Sequence, residues 1–194
     1  MFNKLQAIMN NPTAYFFRAM YLVYRFTHSP IYKMLLQNYG KKSFIHPLVS
    51  LRNHKNISIG SNVIINRNVN IWVSKLMLGD NIQINPGTCI YGNVNIGNNV
   101  MIAPNCMIAG GNHGIANIPE PMITQTCTSK GPIIIEDDVW IASNSVILDG
   151  VRIGSGAVIG GGSVVTKDIP PMAIAIGNPA KVIKYRNQDI KENS

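Results

Sequence analysis

Charged residues, and acidic residues in particular, are scarce in this chain of 194 residues. Charged side chains make up 13% of the chain and hydrophobic ones 46%, which is typical of a packed domain and argues against a disordered chain. No apolar run approaches the roughly 20 residues that a membrane-spanning helix needs. The sequence also has no helix-turn-helix, RNP-type aromatic motif or zinc finger. Its formal charge of +8 therefore does not indicate nucleic-acid binding.

Acidic residues are absent before Asp80, whereas ten of the 17 Lys and Arg residues precede it. We therefore expect an anionic metabolite or an anionic lipid surface as a partner. The segment 14–26 is apolar and free of acids, and seven residues separate Arg18 from Arg25, which places both on one helical face. Residues 1–40 are interpreted as a helical cap over one end of the fold, with peripheral membrane contact as the sharper alternative.

Cysteine and histidine are also rare. Cys89, Cys106 and Cys127 have neither the spacing of zinc ligands nor the even number of a disulfide set, and the first two are expected to be small core residues. Of the four histidines, His113 alone lies in the periodic region described below, so no metal site is expected. The opening residues MFNKLQAIMNN lack the apolar stretch of a signal peptide. We expect a cytoplasmic protein, at the inner face of the membrane if residues 1–40 contact lipid.

An aliphatic residue recurs every six positions through most of the chain after residue 58. The recurrence slips by one position before Leu78 and pauses for 27 residues after Ile108. Gly, Ala or Asn often follows the aliphatic residue, and a small or β-branched residue often lies four positions after it. The recurring positions are Ile59, Ile65, Ile71, Leu78, Ile84, Ile90, Ile96, Ile102, Ile108, Ile135, Ile141, Ile147, Ile153, Ile159 and Val165.

A period of six predicts short strands that turn at a fixed phase and always point the same aliphatic inward, which is a parallel β-helix. Three units of about six residues would form one triangular coil, stacked about 4.8 Å from the next. A β-sandwich or barrel would instead show turns every 8–12 residues or so. We assign residues 1–56 to the cap and an irregular lead-in coil, 57–186 to the β-helix with a protruding loop at 112–132, and 187–194 to a polar tail.

Three segments resemble the hexapeptide-repeat acyltransferases, and above all the galactoside/maltose and polysaccharide-cluster sugar O-acetyltransferases. The likeness covers roughly residues 57–186. It implies an all-β, left-handed parallel β-helix, although parallel crossovers are right-handed in about 98% of folds. It also implies a homotrimer with active sites in the clefts between chains. The first segment is IGNNVMIAPN, which ends at Asn105, together with GNH, which ends at His113. The second is IEDDVWIAS, which ends at Ser143. The third is GGGSVVTKDIP, which ends at Pro170, together with GNPAK, which ends at Lys181.

The resemblance also implies roles for individual residues. His113, where the periodic region gives way to the loop, is the general base, since a neutral imidazole can accept a proton near pH 7. Asn85 contacts the acceptor hydroxyl, with a plain corner asparagine as the alternative. Trp140 shapes the cleft wall, with simple packing as the alternative. Glu120 is a candidate for orienting His113, on sequence proximity alone.

Acetyl-CoA is the implied co-substrate. Lys167, Lys181 and Lys184 would pair with its phosphates, and the last two replace arginines that are common in the family. Gly161 would allow the pantetheine arm to approach the backbone closely. The positions matched to CoA contacts are Ser143, Gly161, Thr166, Lys167, Lys181 and Lys184.

The leading hypothesis is an acetyl-CoA-dependent O-acetyltransferase of a sugar hydroxyl in a surface polysaccharide or its precursor. One alternative is an N-acetyltransferase of an amino sugar, or a xenobiotic (antibiotic) acetyltransferase. A non-enzymatic solenoid scaffold, or a carbonic-anhydrase-like relative, is a further alternative. The carbonic-anhydrase type needs three histidine ligands, and the periodic region holds His113 alone.

Overall fold

A computed structural model of the chain describes residues 30–186 and five single residues before them. These five residues and residues 30–35 are helical. The expected helix at 14–26 lies mostly outside the described residues, and the tail at 187–194 lies outside them entirely. No helix among the described residues is long and apolar enough to cross a bilayer. The five single residues are Phe16, Ala19, Leu22, Val23 and Thr27.

Short strands make up the rest of the fold, together with a 3-10 turn at His54–Asn56. They are β1 (Asn38–Tyr39), β2 (Phe44–Ile45), β3 (Ser50–Arg52), β4 (Ile57–Ile59), β5 (Ile64–Ile65), β6 (Asn70–Leu78), β7 (Gln83–Ile84), β8 (Cys89–Ile96), β9 (Met101–Ile102), β10 (Met107–Ala109), β11 (Ile133–Ile135), β12 (Trp140–Ile141), β13 (Val146–Leu148), β14 (Arg152–Ile153), β15 (Val158–Ile159), β16 (Val164–Val165), β17 (Ala173–Ile176) and β18 (Lys181–Tyr185).

The strands stack in parallel on three faces, which makes the fold a β-solenoid of triangular coils, as the period of six predicts. Face A is the stack β2-β5-β7-β9-β12-β15-β17, on which β18 closes the end in antiparallel pairing. Face B runs from β3 through the first halves of β6 and β8 to β10, β13 and β16. Face C runs from β1 and β4 through the second halves of β6 and β8 to β11 and β14.

Strand pairing begins at Asn38, within residues 1–40, which the sequence predicts to be the helical cap. Residues 38–52 supply one strand to each face, so this segment is a regular coil rather than an irregular one. Leu36, just after the helical residues 30–35, is buried in the core, and Tyr32 packs against it. The helical residues thus contact the first coil.

The recurring aliphatic residues all point into the core, as predicted: each is at most 5% exposed. The small residues four positions later are buried with them, including the polar Thr88, Ser145 and Ser163. Ser145 Oγ donates to the carbonyls of Ala142 and Gly160, at 2.7 and 3.1 Å, so its burial leaves no unmet hydrogen bond.

Cys89 is an exception to the expected core assignment. It is only half-buried, and its Sγ accepts a hydrogen bond from Asn70 Nδ2 at 3.7 Å on the outer side of face B. Thr88 takes the inward position instead. Cys106 is buried as expected.

Residues with positive φ, in the left-handed region of backbone dihedral angles, form the corners, as the recurring Asn and Gly predict. Asn62, Asn81 and Asn99 have φ near 57–58° at one corner and bond to one another through their side-chain amides at 3.0 Å. The sequence slip before Leu78 corresponds to a register shift between Val73 and Lys75 in β6.

Candidate active site

The loop interrupts the solenoid at the corner between faces B and C. Met101 and its partner Trp140 are 39 residues apart in sequence, whereas Gln83 and Met101 are 18 apart. The extra residues lie between β10 and β11. Asn112 and Thr128 close the base of this loop by exchanging backbone hydrogen bonds of 2.7 and 2.8 Å. The chain therefore returns beside its point of departure.

His113 lies just beyond this closed base, on the exposed side of the loop. Cys127 lies opposite it on the returning arm, and the two side chains meet with Sγ 3.6 Å from Nδ1. Gly114 follows, where a Cβ would come within 2.7 Å of the Thr126 carbonyl oxygen. The absence of a side chain at Gly114 thus allows the two arms to approach closely around the histidine.

Asp149 anchors both arms to the coil above. Its carboxylate accepts hydrogen bonds from the backbone N–H groups of Gly111 at 2.7 Å and Lys130 at 2.5 Å, and from Ser129 Oγ at 2.9 Å. Asn112 Nδ2 adds a longer contact of 3.4 Å. Burial acts to raise the pKa of Asp149, but these hydrogen bonds outweigh it and hold the pKa below its ordinary value. The anchor is therefore a carboxylate at neutral pH.

Glu120 bonds within the loop rather than to the histidine ring. Its carboxylate accepts a hydrogen bond from Asn117 Nδ2 at 3.0 Å, and its carbonyl accepts one from Gln125 Nε2 at 2.8 Å. These contacts do not support the hypothesis that Glu120 orients His113. The side chain beside the imidazole is Cys127, for which the sequence predicts no role in the site.

The candidate residues of the coils fall at two different corners of the triangle. Thr166 and Lys167 follow β16 at the corner between faces B and C, two coils from the loop base, or about 10 Å at the usual strand spacing. Asn85, Ser143 and Gly161 follow strands of face A, at the corner between faces A and B. Six residues of extended chain, up to about 20 Å, separate the two corners along face B.

At the second corner, Ser143 and Gly161 are stacked on neighbouring coils. The Ser143 carbonyl accepts a hydrogen bond from Gly162 N at 2.9 Å, and a Cβ on Gly161 would lie 3.3 Å from the same oxygen. Asn85 is half-buried, and its Nδ2 donates to the Ile102 carbonyl at 2.9 Å. Its Oδ1 accepts from Asn66 and Gln83, each at 3.3 Å. These contacts hold Asn85 at its corner within one chain, and its contact with an acceptor hydroxyl stays a prediction.

The remaining candidates are exposed. Trp140 is 47% exposed on the outer side of face A, beside Met101, which is 51% exposed. Lys181 and Lys184 are exposed on β18, whose antiparallel pairing with β17 places them at the end of face A.

Asp149 and Cys127 were both missed at the sequence level. Asp149 follows β13 directly and lies two residues after the inward Ile147, and an acid so close to a buried strand residue was the available signal. Cys127 had no comparable signal, because its neighbour His113 is 14 residues away in sequence and meets it through the loop closure. Within the described part of the chain, no three His, Cys, Asp or Glu side chains converge closely enough to hold a metal ion.

Comparison with known proteins agrees with this architecture. A family profile described as bacterial transferase hexapeptide (six repeats) matches residues 77–110 and 132–167. The galactoside O-acetyltransferase of Escherichia coli (strain K12) is 34% identical over 179 residues, which cover 88% of this chain and 78% of that protein. The chain belongs to the hexapeptide-repeat transferase family. The two blocks matched by the family profile flank the loop that holds His113.

Two solved structures of acyl-transferring enzymes share this fold. A mutant of AntD, an N-acyltransferase from Bacillus cereus, in complex with dTDP-4-amino-4,6-dideoxyglucose and coenzyme A, has a TM-score of 0.75 and 25% identity, covering 86% of this chain and 92% of AntD. A hexapeptide-repeat acetyltransferase from Vibrio cholerae O1 biovar eltor, complexed with acetyl coenzyme A, has a TM-score of 0.54 and 29% identity, covering 80% and 74% of the two chains. This member of the hexapeptide-repeat family is an acetyltransferase.

Proposed function

We propose that this acetyltransferase uses acetyl-CoA to acetylate a sugar hydroxyl of a surface polysaccharide or its precursor, with His113 as general base. The observation that carries the proposal is the exposed imidazole of His113, held at a closed and anchored loop base. The similarity to a galactoside O-acetyltransferase over most of both chains favours a hydroxyl acceptor.

The proposed transfer is direct, without an acyl-enzyme. The Nε2 of His113 accepts the hydroxyl proton while the oxygen attacks the thioester carbonyl carbon. Collapse of the tetrahedral intermediate breaks the carbon–sulfur bond, and the proton passes from Nε2 to the leaving thiolate. Backbone N–H groups at the corners are the candidate donors to the oxyanion.

We infer that two chains form each site. The acetyl-CoA candidates Ser143 and Gly161 lie at one corner of a chain, while Thr166 and Lys167 share the other corner with His113. A homotrimer, expected from the family likeness, would bring unlike corners of neighbouring chains together in a cleft. The exposed Trp140 and Met101 on face A support such packing. Lys181 and Lys184 would then reach the CoA phosphates from the end of face A.

An amino sugar is the second candidate acceptor, because AntD was solved with a dTDP-linked 4-amino sugar. The two possibilities are separated by measuring CoA thiol release with matched acceptors: pyranosides that carry a free hydroxyl, and nucleotide-linked sugars that carry an amine. Turnover of hydroxyl acceptors alone supports the O-acetyltransferase. Turnover confined to the amine acceptors would replace it with an N-acetyltransferase.

We further propose that the protein works in the cytoplasm and that residues 1–40 hold it at the inner face of the membrane. Exposed apolar side chains at Phe16, Leu22, Val23 and Met34 support this contact. Binding to vesicles that contain anionic lipid should weaken when residues 1–27 are removed. Unchanged binding of the truncated protein would contradict the membrane role.

A further inference from the structure

We propose that Cys127 is a positioning residue for His113. In this arrangement the Nδ1–H of the imidazole donates to Cys127 Sγ, which leaves the lone pair of Nε2 available to accept a proton. The inference rests on the proposed role of His113 as the general base. It assigns a function to the thiol that lies 3.6 Å from Nδ1.

The chemistry of imidazole makes the partner of Nδ1 decisive. A neutral histidine has one N–H and one lone pair, and the hydrogen bond at one nitrogen sets which of them the other nitrogen carries. With Nδ1–H donating to sulfur, Nε2 is the base. If the thiol instead donated its proton to Nδ1, Nε2 would carry the ring proton and could not act. When Nε2 takes up the acceptor's proton, the Nδ1–H bond to sulfur remains in place.

The loop base fixes the two residues as a pair. The Asn112–Thr128 closure is the last backbone pairing before His113 and Cys127, which therefore lie opposite each other on the two arms. Asp149 anchors the outgoing arm through Gly111 and the returning arm through Ser129 and Lys130. The position of the thiol relative to the imidazole is thus set by contacts that involve neither side chain.

Close approach of the arms on the far side of the pair completes the arrangement. A Cβ on Gly114 would lie 2.7 Å from Thr126 O and 2.8 Å from Gln125 Cβ. Gln125 in turn donates to the carbonyls of Asn117 and Glu120, at 2.9 and 2.8 Å. The imidazole and the thiol are therefore bracketed by backbone closure on one side and by this tight approach on the other.

The direct test is the tautomer of His113, measured by ¹⁵N NMR of the full-length histidine-labelled protein with the imidazole in its neutral form. The His113→Gln variant identifies its signals among the four histidines. We expect the Nδ1–H tautomer in the wild type and its loss in Cys127→Ala. An Nε2–H tautomer in the wild type, or the same tautomer in both proteins, would overturn the proposal. This readout requires no activity, so it stands apart from the test of the base itself.

Kinetics provide the second test. Cys127→Ala should lower kcat by about tenfold or more and leave the KM for acetyl-CoA within about twofold, because an imidazole in the wrong tautomer is a poor base. Cys127→Ser, whose hydroxyl can accept from Nδ1–H, should recover most of the loss. Cys89→Ser, which alters the half-buried cysteine of face B, is the matched control and should behave as wild type.

Equal kcat values for Cys127→Ala and the wild type would contradict the positioning role. Loss of activity in Cys127→Ser equal to that in Cys127→Ala would also contradict it.

Discussion

Asp149 shows how one buried carboxylate can determine the geometry of a site that it does not enter. Two backbone N–H groups and one hydroxyl from the two loop arms converge on its oxygens within 2.9 Å. Removal of the charge would weaken the acceptor that these three donors share. The loop base that carries His113 therefore depends on the ionised form of Asp149.

Replacing Asp149 with asparagine tests this dependence. The amide offers one acceptor oxygen instead of two, so we expect a loss of about 1–3 kcal/mol in the free energy of unfolding at pH 7. The pKa of Asp149 is depressed in the folded protein, so its stabilisation is complete above the ordinary value near 3.9 and is lost as the pH falls through the folded pKa.

Urea unfolding of both proteins between about pH 7 and pH 3 measures the effect, and the difference should shrink at the acid end. Asp168→Asn is the matched control, because Asp168 is exposed and accepts one backbone hydrogen bond, from Arg152 N. A difference between wild type and Asp149→Asn that is constant across this pH range would contradict the role of the charge.

At the residue scale, the sequence predicts the burial of residues that recur with the period of six, but it does not predict contacts between residues that are brought together by the loop. Ile84 and Ile147 are buried because the period of six places them inward in every coil. The contact between His113 and Cys127 has no period, because it depends on how a single loop closes. The burial of Cys89 was mispredicted by one position, since a strand turns successive side chains to opposite faces.

At the scale of the element, the corners are as constrained as the strands. Gly40, Gly60, Gly79 and Gly97 occupy the same corner of successive coils. A Cβ on Gly60 would lie 2.3 Å from the Gly79 carbonyl oxygen, which belongs to rigid backbone. These glycines are therefore required by the close stacking of the coils.

Substitution at two glycines tests this reading. Gly60→Ala should destabilise the fold by about 1–3 kcal/mol, since the neighbouring backbone must move apart. Gly161→Ala is the matched control, because its Cβ would lie 3.3 Å from the nearest atom, Ser143 O, and a small adjustment accommodates it. Thermal unfolding compares the two variants. Equal melting temperatures for both would show that the stacking tolerates a side chain at this corner.

The sequence predicts the position of the loop but not the contacts inside it. The pause in the period marks where it leaves and rejoins the solenoid, because the coils on either side keep their phase. Its internal hydrogen bonds, such as those of Gln125 with Asn117 and Glu120, follow no repeating pattern. Sequence proximity alone therefore could not predict the contacts that Glu120 makes.

At the scale of the whole molecule, the separation of the candidate residues between two corners is the main consequence of the fold. Strand stacking makes each corner a column, so His113 aligns with Thr166 and Lys167, while Asn85 aligns with Ser143 and Gly161. The period of six predicts these columns. The left-handed winding and the trimer stay predictions from the family likeness, because strand periodicity is the same for either hand and for one chain or three.

Subunit complementation tests whether two chains share a site. His113→Ala and Asn85→Ala should each have low activity alone, while co-expressed chains should form mixed trimers in which about one quarter of the clefts carry both native residues. The activity of the mixed trimers should therefore rise well above that of either variant. Light scattering should give about three times the chain mass of 21.3 kDa. Mixed trimers with no gain in activity would place both residues in one chain's site.

The most direct measurement of the central claim is the activity of His113→Ala with a sugar acceptor and acetyl-CoA, together with CoA affinity by calorimetry. Loss of the general base should reduce kcat by about 10²–10⁴-fold and leave the Kd for CoA within about twofold of the wild type. His54→Ala, in the 3-10 turn of the first coil, is the matched control and should retain full activity. A His113→Ala enzyme with wild-type kcat would contradict the account.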